Sequence, residues 1–274
     1  MKSILIPTDY SPYADTAIET GITLAKKTGA ELFLLNIFNA PPDWNRIAVD
    51  QQQAHPEIEG RMVESEIKMD KLTSNKRFKG VKVTGIVRPG VIIEEIMRFA
   101  KLYKADLIVM GAHGKGESGR YFIGSHAQKV IRTSVCPVLS VKKDFKPRAV
   151  KKIMFAADFT ENLIKTFNML TGFIKAMGAK VELVYINTPS QFKETLPMEK
   201  AMAKLLHAYP ELKMKASIHN AAEVEKGILE YAEHHKIDVI AKTTHDRGHK
   251  PGYHFGVTEA LLYKSGVPVL SVVV

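Results

Sequence analysis

The chain has 274 residues, 45% hydrophobic and 25% charged, a balance that fits one large folded domain or two ordinary ones and excludes disorder. Lys and Arg outnumber Asp and Glu by 39 to 29; the resulting +10 divides at Lys146 into +6 and +4, so no basic tail gathers it, and most of it reads as solvated surface with nucleic acid a minor alternative. The lone cysteine, Cys136, excludes an internal disulfide, no apolar run reaches the length of a membrane span, and the run before Pro7 and Asp9 is too short for a signal-peptide core, so a cytoplasmic protein is expected.

Along the chain, short apolar runs alternate with longer amphipathic stretches. The pattern predicts strands near Ser3–Thr8, Glu31–Phe38, Val81–Val87, Asp106–Gly111 and Val138–Val141. Helices fit between them near Pro12–Thr28, Glu57–Ser74, Val91–Tyr103 and Ser125–Thr133. The cycle then returns, with strands near Lys152–Ala157, Lys180–Asn187, Lys213–Ile218, Asp238–Thr243 and Val269–Val273. Its helices fit near Glu161–Met177, Phe192–Ala208, Ala222–His235 and Val257–Lys264.

The return is a true repeat. Lys2-Ser3-Ile4-Leu5-Ile6-Pro7-Thr8-Asp9 resembles Lys151-Lys152-Ile153-Met154-Phe155-Ala156-Ala157-Asp158 at an offset of 149 residues. Asp106-Leu107-Ile108-Val109 matches Asp238-Val239-Ile240-Ala241 at 132, and Cys136-Pro137-Val138-Leu139-Ser140-Val141 matches Val267-Pro268-Val269-Leu270-Ser271-Val272 at 131. The second copy is therefore shorter by about 17 residues, and the surplus falls on Asn39–Pro56, whose Pro41-Pro42 and Gln51-Gln52-Gln53 read as a long surface loop, partly disordered. The charged stretch Lys142–Arg148 divides the chain into domains 1–146 and 147–274. Strand–helix alternation makes each an α/β, doubly wound, five-stranded parallel-sheet domain, in which ligands bind beyond the carboxyl ends of the strands at the switch point. The apolar fifth strands would each be an exposed sheet edge; pairing them with one another in an internal pseudo-dimer is the economical way to remove both edges, and burial under a helix is the alternative.

After the fourth strand comes Met110-Gly111-Ala112-His113-Gly114-Lys115-Gly116-Glu117-Ser118-Gly119-Arg120, and then Gly124-Ser125 opens a helix. Glycines allow close backbone approach, and a helix amino end flanked by Lys115 and Arg120 suits an anion such as phosphate. Gly114–Gly119 also fits G-x-G-x-x-G, but the dinucleotide fingerprint belongs after the first strand and wants an acid about 20 residues on. A second pattern is more specific: Gly111, two residues, Gly114, nine residues, then Gly124-Ser125. Together with Ile4-Leu5-Ile6-Pro7-Thr8-Asp9 and the Cys-Pro-Val-Leu-Ser-Val ending, it resembles the universal stress protein family, in two tandem copies over the whole chain, the first of the ATP-binding class.

The resemblance implies strand order 3-2-1-4-5, pairing through the fifth strands, and ATP or another adenine nucleotide in the first crevice, with Mg2+ as an optional companion. It assigns Pro7 and Asp9 to adenosine, Ile37 to the adenine side, Met110 and Gly111 to the nucleoside, and His113, Gly114, Gly124, Ser125 and His126 to the phosphates. A carboxylate beside a triphosphate is repulsive, so Asp9 suits hydroxyl or amine donors. In the second copy, an ungapped alignment replaces the first two signature glycines by Lys242 and His245, and nucleotide binding is not expected there. His245, His249 and His254 with Asp246 raise a metal reading, but Pro251 and Gly252 make the stretch a charged loop. Three functions stay open: a nucleotide-dependent sensor, a weak ATPase with Glu117 the one nearby base, or a carrier whose second domain holds a non-nucleotide ligand. A further homodimer stays open too.

Overall fold

Ile4 and Ile6 of the first strand enter one buried cluster and Leu5 the other, as the two-residue strand period requires of a sheet covered on both faces. The computed structural model describes residues 1–41, 44, 47–48, 51–52, 54–112, 125–159, 163–244 and 256–273. The first half holds strands β1 (Ser3–Pro7), β2 (Glu31–Phe38), β3 (Val83–Pro89), β4 (Leu107–Gly111) and β5 (Val138–Val141). Between them lie helices α1 (Pro12–Thr28), α2 (Pro56–Thr73), α3 (Ile92–Leu102) and α4 (Ser125–Thr133). The second half repeats this with β6 (Lys152–Ala156), β7 (Lys180–Asn187), β8 (Met214–Asn220), β9 (Val239–Thr244) and β10 (Val269–Val273). Its helices are α5 (Ile164–Met177), α6 (Thr195–Ala208), α7 (Val224–His234) and α8 (Val257–Lys264).

The ten strands form one sheet in the order β3-β2-β1-β4-β5-β10-β9-β6-β7-β8. Each half has the order 3-2-1-4-5, and β5 meets β10 antiparallel, with Leu139 opposite Leu270. Those two residues differ by the repeat offset of 131, so a pseudo-two-fold axis passes between them. Buried residues of α1, α2, α5 and α6 cover one face, and those of α3, α4, α7 and α8 the other.

The repeat extends to backbone detail. Gly29 and Gly178, both left-handed at φ 73° and 64°, end α1 and α5 by returning their N–H groups to Ala25 and Ile174. Asp106 accepts the backbone N–H groups of Lys2 and Ser3, and Asp238 accepts those of Lys151 and Lys152. Each carboxylate ties the start of a fourth strand to the start of a first.

Within the stretch expected to be a surface loop, the described residue Trp44 reaches the core. Trp44 is 7% exposed, its carbonyl accepts Gln52 Nε2 at 2.9 Å, and the His55 ring meets its edge. The indole ties that point of the chain to the core, because burying so large an apolar group is strongly favourable.

A polar cluster breaks the symmetry of the cores. Phe33, Tyr103 and Phe99 stack in the first half, with 4.0 Å between the Phe33 and Tyr103 centroids. Their counterparts are Glu182, His235 and Tyr231. Tyr231 donates to Glu182 Oε2 at 2.8 Å, Lys215 Nζ lies 3.1 Å from Oε1, and His235 stacks on Tyr231 at 3.8 Å. Burial alone would raise the Glu182 pKa; the hydrogen bonds from Tyr231 and Lys215 and the charges of Lys215 and His235 outweigh it and hold the carboxyl below its ordinary value. A carboxyl with a depressed folded pKa stabilises the fold above its unfolded pKa, and that stability is lost as pH falls through the folded value. Glu182→Gln should therefore cost about 1.5–3 kcal/mol at neutral pH, and the deficit should shrink in acid. Denaturant titrations near neutrality and near pH ~3 check this; an equal deficit at both would contradict it.

Candidate functional site at the first switch point

β1 lies between β2 and β4, so the crevice beyond its carboxyl end is the switch point of the first half. The turn there is tightly specified. Thr8 N–H donates to Leu35 O, and Asn36 Nδ2 donates to Thr8 O at 2.7 Å. Tyr10 takes φ 63°, and its N–H reaches Thr8 Oγ1 at 3.1 Å. Ser11 N–H donates to Asp9 Oδ1 at 3.0 Å, and Ser11 Oγ accepts Ala14 N–H to cap α1. One Asp9 oxygen thus fixes the turn, while the side chain itself is exposed above the crevice. The Tyr10 hydroxyl donates to Ser65 O of α2, and burial pushes its pKa to about 12, so it stays a neutral donor.

On the neighbouring strand, Met110 is buried and Gly111 half-buried, and Ala112 N–H donates to Val141 O. A Cβ on Gly111 would lie 2.6 Å from the backbone carbon and oxygen of Tyr13. Gly111 is therefore fixed by the packing of the first turn of α1 onto β4, a role its glycine signature did not reveal. Ile37 is half-buried near the end of β2, two residues beyond Leu35, the partner of Pro7. α4 begins at Ser125 with no acidic residue in its first turn, and His126 is exposed on it. Pro7, Asp9, Ile37, Met110 and Gly111 thus gather at three adjacent strand ends, while His113, Gly114 and Gly124 lie outside the described residues. Tyr10, Tyr13 and Asn36 are the positioning residues missed from sequence; Asn36, polar inside an apolar strand, was the one visible signal.

The universal stress protein family model matches residues 1–142, just over half of the chain. The chain belongs to the universal stress protein family. Universal stress protein MJ0531 of Methanocaldococcus jannaschii is 35% identical over 142 residues, covering 52% of this chain and 82% of the relative. Universal stress protein Slr1230 of Synechocystis is 23% identical over 293 residues and spans 99% of both chains, as a tandem architecture requires. The crystal structure of a universal stress protein from Archaeoglobus fulgidus superposes with a TM-score of 0.75 at 18% identity, covering 98% of this chain and 97% of that one; it bears on the fold alone.

Within this universal stress protein the second switch point is built differently. Sheet register corrects the ungapped alignment: Ile108 and Ile240 hold equivalent places, so Lys242 stands where Met110 stands and Thr243 where Gly111 stands. Lys242 Nζ donates to Thr243 O at 3.2 Å and to its Oγ1 at 3.3 Å. Burial lowers its pKa and the charge of Asp158 works against that shift. The Thr244 and Thr258 hydroxyls, 3.0 Å apart, join the end of β9 to the first turn of α8; Ala112 and Ala127 hold those places in the first half. His245, His249, His254 and Asp246 lie outside the described residues, as do Lys115, Glu117 and Arg120. Among the described residues no His, Cys, Asp or Glu group could hold a metal, and no helix is long and apolar enough to cross a membrane.

Proposed function

We propose that residues 1–146 bind ATP or another adenine nucleotide, and that residues 147–274 form a paired unit without that site, in a cytoplasmic sensor module. The observation that carries this is the asymmetry of the two switch points. The first combines small or uncharged groups at the β4 end with an acid-free helix start, and the second fills the same places with Lys242, Thr243, Thr244 and an acidic first turn. The residues present fit the nucleotide. Asp9 has an oxygen to spare for ribose or amine donors, Ile37 and Met110 supply apolar surface, and the amino end of α4 suits phosphate.

Native mass spectrometry of the full chain with ATP should give one nucleotide per chain. Asp9→Ala should weaken ATP about 10- to 100-fold, the worth of a charge-assisted hydrogen bond, and leave inorganic pyrophosphate binding unchanged. Equal ATP affinity in both proteins would remove Asp9 from the site. Labelled-ATP turnover then separates a sensor from a weak ATPase.

A second reading has its own support. A hollow of about 450 Å3 lies beyond β7 and β8, lined by Asn187, Thr188, Phe192, Asn220 and Ala221, with Phe192 largely exposed. The Asn187 amide is bonded to the Lys193 backbone, and the Asn220 amide and the Phe192 ring suit a small uncharged ligand, as a carrier role for the second half would require.

A further inference from the structure

The connection from α2 to β3 breaks the repeat. Residues 74–82 make it in the first half, and the shorter stretch 209–213 makes it in the second. The longer connection carries Lys76, Arg77, Lys79 and Lys82 and no acid. The shorter one carries Glu211 and Lys213, and Glu211 pairs with Lys175 at 2.9 Å. The longer connection is internally braced. Asn75 Oδ1 accepts Arg77 N–H at 3.0 Å, Val81 N–H returns to Phe78 O at 2.8 Å, and the Phe78 ring is buried in the core.

A hollow of about 560 Å3, a volume usual for a small-molecule site, lies beside this connection. Phe78, Val81 and Val83 give it an apolar floor, and Asn75, Lys76 and Lys79 stand at its rim. The charges of the connection are not equivalent. Arg77 Nη1 is held by Asp15 and Glu19 at 2.6 and 3.0 Å, and Lys82 Nζ by Glu31 at 2.9 Å. Lys76 and Lys79 have no carboxylate partner among the described residues. The Asn75 Nδ2 donors are left over once Oδ1 has taken the Arg77 N–H. Carbonyls at the end of α2 that would repel an anion are already engaged: Asp70 O accepts Ser74 N–H, and Leu72 O accepts Asn75 N–H. The hollow thus joins apolar surface to unopposed positive charge and free donors.

We propose that this hollow binds a small amphipathic acid, an apolar body ending in one carboxylate, with the body on Phe78, Val81 and Val83 and the head at Lys76 and Lys79. An uncharged ligand would leave the two lysines unused, and a small hydrophilic anion would leave the apolar floor in water. The site stands at the amino end of β3, whereas the switch-point crevice lies beyond the carboxyl ends of strands parallel to it. It is therefore independent of the nucleotide reading.

The test uses the full chain and octanoate, with octanol and acetate as the matching body and head. In amide NMR spectra, octanoate should shift the backbone signals of residues 73–83, and either fragment should shift them much less. Lys76→Gln with Lys79→Gln should weaken octanoate about 5- to 30-fold, the worth of two exposed ion pairs. Both lysines are exposed, so the fold should persist. Added salt should weaken octanoate in wild type and have little effect in the double variant. Equal octanoate affinity in the two proteins, or shifts confined to the hollow beyond β7 and β8, overturns the proposal. Octanol bound as tightly as octanoate overturns it too, because the lysines would then take no part.

Discussion

Leu270→Ala should lower the free energy of unfolding by about 2–5 kcal/mol, and Leu139→Ala by a similar amount. Both side chains are fully buried, and they face each other where the sheet changes from parallel to antiparallel. A cavity there has few ways to collapse, because β4 and β9 fix the two strands from outside. Denaturant titration of the two single variants and the double one measures the effect, and the double should lose less than the sum, since both truncations open one cavity. A loss below about 1 kcal/mol in the single variants would mean that the junction repacks freely.

Gly111→Ala should destabilise the chain by about 1–3 kcal/mol with no nucleotide present. The added methyl meets the Tyr13 carbonyl, which is backbone and cannot rotate aside. Relief requires the first turn of α1 to move off β4, which shifts Ser11 and the Asp9 turn attached to it. ATP binding should therefore weaken in the same variant, and Gly111→Ser should do no better. Thermal unfolding without ligand separates this packing role from ligand contact: an unchanged midpoint with lost binding would assign Gly111 to the ligand alone.

Much of the fold could be read from the residues because each element repeats. α1, α4, α8, β2, β5, β7 and β10 fall where the periodicity predicts them, and the fifth strands pair as their apolar edges required. β3 begins later than expected, at Val83, because Val81 N–H turns back to Phe78 O; it runs on to Pro89 because Phe38 of β2 lies opposite. Local alternation cannot show where a partner strand ends.

The site was legible as a list and not as a mechanism of assembly. The Asp9 turn follows from adjacent residues, but the collision that fixes Gly111 comes from Tyr13, about a hundred residues away. The Arg132–Glu259 pair spans 127 residues and two copies of the repeat. Glu259 read alone is an ordinary acid in a first helical turn. Lys242 reads from the sequence as a disruption, but its counterpart, Met110, emerges only from the strand register.

Joining both copies in one polypeptide removes a restriction that binds assemblies of identical subunits. Two equal chains about a true axis must carry the same residue at both images of every contact, so a glutamine on one side forbids a glutamate on the other. Here the images diverge, the Gln128–Tyr263 hydrogen bond against the Arg132–Glu259 ion pair, so the two halves of the seam can differ in chemistry while the pairing is kept. The pairing also needs no encounter between molecules, so dilution cannot part the halves.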